Sequence, residues 1–199
     1  MNSSSFSPVS PFDTDEDFDS ALPLKIRKLS SRHWTPVHVA KRAAHFLVQT
    51  ENSRILDIGS GVGKFCLAAA SASAGHFTGV EQRDALVRLS KKIAQKYHID
   101  RAHFLHANIL TVDFTEFDAF YFFNSFEENR DLTDKIDDEV IYNPSRYAVY
   151  SLYLYEQFES LPRGTRIATY CSPVAIIPDQ YVMVGSEVKG KLQFWEKKY

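Results

Sequence analysis

The sequence Arg54-Ile-Leu-Asp57-Ile-Gly59-Ser-Gly61-Val-Gly63-Lys-Phe-Cys66 passes from a short apolar run through three glycines at alternate positions into the start of an alanine-rich segment. It predicts a strand, a tight turn and a helix. Such a turn leaves backbone N–H groups unpaired at the helix start, and the missing Cβ atoms admit close approach of a ligand. A phosphate-binding P-loop is excluded by the spacing. Aligned on Gly63-Lys64, the first glycine of that motif falls on Ile58 and its hydroxyl residue on Phe65. The dinucleotide pattern G-x-G-x-x-G fits Gly59 and Gly61 but meets Lys64 where the third glycine is required.

The form that remains, Asp57-x-Gly59-x-Gly61-x-Gly63, resembles the first motif of the class I S-adenosylmethionine-dependent methyltransferases. The resemblance continues along the chain. His76-Phe-Thr-Gly-Val-Glu81 looks like that family's second strand, and Glu81 follows Asp57 at about the 20-residue offset of a ribose-binding carboxylate. Residues 103–110 look like the third strand and the adenine-contacting turn, with Asn108 where the family more often has Asp. The resemblance implies S-adenosyl-L-methionine as cofactor, held by Asp57, Gly59, Gly61, Gly63, Glu81, Gln82, Asn108 and Ile109. Thr35, ahead of a helix that in the family often lies over the methionine end, is a further candidate.

Outward from this centre, helical and strand patterns alternate as in a doubly wound α/β fold. Thr35-Pro36 predicts a helix start with a hydroxyl cap, and Val37, Ala40, Ala44, Leu47 and Val48 share one helical face. Leu86, Leu89, Ile93 and Tyr97 mark another helix, with Lys91, Lys92 and Lys96 on its wet side. Residues 119–124 form a continuous apolar run, predicting a central strand covered on both faces. After an acidic loop over 127–141, Tyr147, Tyr150, Leu154, Phe158 and Leu161 form a helical stripe ended by Pro162 and Gly164. Arg166 to Cys171 is a further strand, and 181–188 and 191–197 flank Lys189-Gly190 as a terminal hairpin. The expected fold is α/β, a doubly wound, seven-stranded Rossmann-like methyltransferase sheet with a C-terminal antiparallel hairpin. The resemblance implies the strand order 3-2-1-4-5-7-6.

The length of 199 residues suits one domain. Residues 1–20, rich in Ser, Pro and Asp, are expected to form a disordered acidic tail, 21–50 an N-terminal helical segment, and 51–199 the cofactor-binding domain. The basic stretch from Lys25 to Arg42 reads as a solvated helix face or as a docking patch for an acidic partner. A net charge of −2 gives no strong nucleic-acid signal. Cys66 and Cys171 are too far apart for a metal motif and read as reduced, and no apolar run is long enough to span a bilayer, so a cytoplasmic location without membrane partners is expected. The histidines lack ligand spacing, and no metal site is expected.

Asn124-Ser-Phe126 stands where amino-methylating members carry Asn/Asp-Pro-Pro-aromatic, and it resembles the Asn-x-Phe of the non-SET histone lysine methyltransferases, with Ser125 in place of proline. The resemblance makes Asn124 and Phe126 the catalytic candidates. An amide oxygen can orient an amine, and an aromatic ring favours a cationic methyl centre. One or two of the tyrosines at 142, 147, 150, 153 and 155 could wall an acceptor pocket. The expected activity is methylation of nitrogen, on a lysine-like protein side chain or a small amine. Two other readings stay open: an NAD-dependent oxidoreductase, disfavoured by Lys64, and a methyltransferase fold serving as a non-catalytic scaffold.

Overall fold

A computed structural model describes residues 11–126, 136 and 143–199. Seven strands form one sheet in the order β3-β2-β1-β4-β5-β7-β6. They are β1 Arg54–Ile58, β2 His76–Glu81, β3 Ala102–His106, β4 Ala119–Phe122, β5 Arg166–Tyr170, β6 Tyr181–Glu187 and β7 Leu192–Lys197. The first five are parallel, and β7 runs antiparallel between β5 and β6. All four residues of β4 are buried, as its unbroken apolar sequence requires of a strand covered on both faces. The β6–β7 pairing contains a register shift between Met183 and Gly185 on the outermost strand.

Helices α1 Asp15–Ser20, α2 Leu24–Arg27, α3 Ser30–His33, α4 Val37–Leu47, α5 Lys64–Ala72, α6 Asp84–Lys96 and α7 Pro144–Ser160 complete the layers. One core joins the N-terminal segment, α4, α5 and α6 to the sheet, and α7 contributes Tyr150, Leu154 and Phe158 to a second core on the opposite face. The alanines of α5 allow α4 to pack closely upon it, and Ala68 and Ala69 are fully buried. No helix among the described residues is long and apolar enough to cross a membrane.

The acidic tail expected over 1–20 is corrected at residues 11–20. Thr14 and Asp17 form a reciprocal capping box: Thr14 Oγ1 accepts the Asp17 N–H at 3.1 Å, and Asp17 Oδ2 accepts the Thr14 N–H at 2.8 Å. Phe12 and Phe18 are fully buried, edge to face with ring centroids 4.9 Å apart. Two phenylalanines among many carboxylates suffice to anchor the segment because both enter the main core. Residues 1–10 and the acidic loop lie outside the described residues, apart from Ile136.

The helix start at Thr35-Pro36 is also built differently. α4 begins at Val37, and its first N–H is capped from α1 by Asp15 Oδ1 at 2.8 Å. Thr35 Oγ1 is instead 3.0 Å from the Tyr121 hydroxyl, both groups being buried. A cap supplied from more than twenty residues away leaves the local hydroxyl free to pair across the sheet.

If the N-terminal segment is part of the core, Phe18→Ala should lower stability by about 3–5 kcal/mol, the usual cost of removing a buried aromatic ring. Urea unfolding of the full chain measures this. A change within about 0.5 kcal/mol, as at a surface position, would mean that the segment contributes no packing.

Candidate cofactor and acceptor site

The site lies beyond the carboxyl ends of β1, β2 and β4, where an open α/β sheet changes direction. The glycine turn is fixed to the neighbouring strand: the N–H groups of Gly59 and Ser60 both donate to the Val80 carbonyl, at 3.0 and 2.9 Å. Gly59, Gly61 and Gly63 have φ values of 75°, 55° and 74°, in the left-handed region that side chains disfavour. Each missing Cβ is also occupied by protein. A side chain would collide with Ser125 at Gly59, with Trp34 at Gly61, and with Phe104 at Gly63.

Two adjoining hollows, with open volumes of about 720 and 370 Å³, meet at Gly59, Glu81, Arg83 and Ser125. Together they form one continuous trough along the carboxyl ends of the strands. The first half is bordered by Trp34, Thr35, Asp57, Gly61, Phe65 and Asn124. The second is bordered by Val80, Gln82, Asn108, Ile109, Phe126 and Tyr150.

Glu81 closes β2 at the junction. Its Oε2 accepts the Gly61 N–H at 3.1 Å, its Oε1 accepts the Arg83 N–H at 2.9 Å, and the buried Arg83 guanidinium lies 3.4 Å from Oε1. This carboxylate therefore links the glycine turn to the start of α6. Asp57 is also buried, and the Cys66 thiol donates to its Oδ2 at 3.5 Å. Burial pushes the Asp57 carboxyl up to about 7; the Cys66 hydrogen bond opposes this, and the charge of Glu81 adds to it.

In the second half, Asn108 Oδ1 accepts the Leu110 N–H at 3.0 Å and its Nδ2 donates to the Tyr150 hydroxyl at 3.0 Å. Phe126 stacks on Tyr150 with ring centroids 5.0 Å apart. A slot with two stacked rings and polar edges results. Phe126, expected beside the acceptor, belongs to this slot rather than to the half that holds Asn124, because the turn after β4 directs it back against Phe122.

That turn sets Asn124 at φ 41° and holds its N–H on Ser172 Oγ at 3.0 Å. The Asn124 side-chain amide borders the first half and makes no hydrogen bond within the described residues. Ser125, in the place of proline, donates its hydroxyl to the Ile58 carbonyl at the end of β1. The departure from proline thus still fixes the turn, through a hydrogen bond instead of a ring.

Of the expected residues, the structure brings Thr35, Asp57, Gly59, Gly61, Glu81 and Asn124 to one half, and Gln82, Asn108, Ile109 and Phe126 to the other. Gly63 borders neither half; it starts α5 and admits Phe104. The sequence reading missed Trp34 and Arg83 and named Tyr150 only as one of a tyrosine group. Among the described residues there is no cluster of His, Cys, Asp and Glu that could hold a metal ion.

The trough fits S-adenosylmethionine. One half offers the stacked rings of Phe126 and Tyr150, the other the buried Asp57 carboxyl, and Ser60 Oγ, in the glycine turn, is buried with no hydrogen-bond partner among the described residues. Comparison with known proteins agrees. The family model described as a methyltransferase domain matches residues 49–159. The 23S rRNA (uracil(1939)-C(5))-methyltransferase RlmD of Francisella tularensis subsp. novicida is 35% identical over 94 residues, 47% of this chain and 20% of that protein, so the match spans about a fifth of the relative's length. Among solved structures, TrmN from Thermus thermophilus is 18% identical with a TM-score of 0.63, covering 86% of this chain and 52% of that one. An RNA methyltransferase from Salinibacter ruber, in complex with S-adenosyl-L-homocysteine, is 20% identical with a TM-score of 0.54, covering 81% of this chain and 88% of that one. At these identities the two structures share the fold. The glycine turn, the strand order and the matched family model lead to one conclusion: the chain belongs to the class I S-adenosylmethionine-dependent methyltransferase family, with S-adenosyl-L-methionine as its cofactor.

Proposed function

We propose that this protein transfers a methyl group to a nitrogen atom presented beside Asn124, with a lysine-like side chain or a small amine as the acceptor class. The observation that carries this reading is the Asn124 amide, uncommitted within the described residues and bordering the same half of the trough as Asp57. When bound, the cofactor supplies an electrophilic methyl group on a sulfonium. The chain's own residues bind and orient. Gln82, Asn108, Ile109, Phe126 and Tyr150 would hold the adenine, Glu81 would accept hydrogen bonds from the ribose hydroxyls, and Asp57 would take the ammonium of the aminoacyl end. Asn124 Oδ1 accepts an N–H from the acceptor and aims its lone pair along the line of displacement. An in-line displacement of this kind requires orientation and exclusion of water more than a general base. The cytoplasmic setting expected from the sequence belongs to the same proposal.

A second reading, an RNA base as acceptor, is favoured by the names of the matched relatives and by Arg32 and His33 at the rim of the first half. The sequence on either side of Ile136, which borders the same half, is acidic and favours an amine acceptor, which arrives as an ammonium and gives one proton to solvent before its lone pair attacks. Incubation of a cell lysate with radiolabelled cofactor, followed by protease or ribonuclease, separates the two. Label lost with protease or recovered in small amines supports the first reading, and label lost with ribonuclease supports the second.

Glu81 and Asn124 should separate cofactor binding from acceptor orientation. Charge-assisted hydrogen bonds contribute roughly 1.5–3 kcal/mol each, so Glu81→Ala should weaken cofactor affinity at least about tenfold. Asn124→Ala should leave affinity within about threefold and slow transfer about a hundredfold, equivalent to roughly 2.7 kcal/mol in the transition state. Equal losses of affinity in both variants would make Asn124 a structural residue.

Asp57 sets a pH dependence. In the free protein its carboxyl is protonated below about 7, whereas an ammonium against it favours the carboxylate, so binding releases a proton. Affinity for S-adenosylhomocysteine should rise as pH increases toward about 7, by up to roughly tenfold per unit, and level off above. Calorimetry in two buffers of different ionisation enthalpy reads the proton directly. Asp57→Asn should abolish the slope, and a wild-type affinity independent of pH between about 6 and 8 would remove Asp57 from the ammonium.

A further inference from the structure

Lys64, the first residue after the glycine turn, is 2% exposed, yet its ammonium does not lie in bulk solvent or on a sheet residue. It is 2.8 Å from Asp15 Oδ1 and 3.0 Å from Asp19 Oδ1, donates to Ser30 Oγ at 3.0 Å, and stands 5.3 Å from the centre of the Phe18 ring. All these partners belong to the N-terminal segment. Burying an ammonium is costly unless it is paired and hydrogen-bonded, and removing one member of such a cluster is strongly unfavourable. Lys64 therefore fastens the segment to the first turn of α5.

The segment ends at Trp34, and here it reaches the trough. Trp34 is 4% exposed, its Nε1 donates to the Ile26 carbonyl at 3.4 Å, and its ring occupies the space that a side chain on Gly61 would fill. The same ring borders the half of the trough that contains Asp57 and Asn124. The motif reading treats the second glycine as a site of cofactor approach alone; in the structure, its missing Cβ admits an indole.

We propose that the segment from Phe12 to Trp34 is the closing wall of the cofactor trough, with Trp34 touching the aminoacyl end of the cofactor and Lys64 as the positioning residue that holds the wall on the glycine turn. This rests on the cofactor orientation given above. An indole ring there supplies a dry surface and a π face for the cationic groups of that end. The acidic residues of α1 thus serve the site indirectly, by holding the lysine that seats the tryptophan.

The test uses the full chain and S-adenosylhomocysteine. The protein has two tryptophans, Trp34 and Trp195, and Trp195 is held on β7 by a hydrogen bond to Thr169 at 3.1 Å. In Trp195→Phe, ligand titration should change Trp34 emission saturably, with the dissociation constant found by calorimetry. In Lys64→Met on that background, Trp34 emission should shift to the red, its response should be lost, and affinity should fall about tenfold. Should Lys64→Met fail to fold, Asp15→Asn combined with Asp19→Asn releases the same ammonium from a less buried side and should give the same changes. Calorimetric binding without any Trp34 response, or unaltered affinity in these variants, would overturn the proposal while leaving the cofactor assignment intact. No calorimetric binding to the wild type would overturn both.

Discussion

The two hydrogen bonds from Gly59 and Ser60 to the Val80 carbonyl govern the organisation of this protein. They join the end of β1 to that of β2 and set the turn whose left-handed residues allow three other parts of the chain to come close. Ser125 arrives from β4, Trp34 from the N-terminal segment and Phe104 from β3. A single side chain at any of these glycines would therefore disturb a packing contact as well as the backbone. The turn is a junction of the fold before it is a ligand site.

What could be read in the sequence was local or periodic. The strand, the glycine spacing, the helix faces and the terminal hairpin each have a pattern of a few residues, and the expected strand order is the one observed. What could not be read depends on pairs distant in sequence. Asp15 caps α4, Thr35 meets Tyr121, and Lys64 gathers Asp15, Asp19 and Ser30. Composition alone made residues 11–20 a tail, although Thr14 and Asp17 already had the spacing of a capping box and Phe12 and Phe18 had somewhere to pack. Phe126 follows Asn124 by two residues yet borders the other half of the trough, beside its neighbour in space, Tyr150.

Charge in the trough is arranged in pairs of unequal character. Glu81 is balanced by Arg83 and by backbone N–H groups, so it is a fixed acceptor. Among the described residues, Asp57 has only the Cys66 thiol as a hydrogen-bond donor, and burial makes its charge unfavourable. The two carboxyl groups lie at the ends of adjacent strands, one held by donors on two sides and the other buried against a thiol.

The position of β7 bears on how the chain folds as it is made. β7 follows β6 in sequence but separates it from β5 in the sheet. Until β7 has been synthesised and released from the ribosome, β6 has no neighbour to bond to and β5 presents an unpaired edge. The sheet around the glycine turn can form first, whereas the far side is completed in one late step that inserts a strand and its partner together. Translation pauses before Leu192 would therefore prolong a state with an open edge beside β5, a ready site for pairing with another copy.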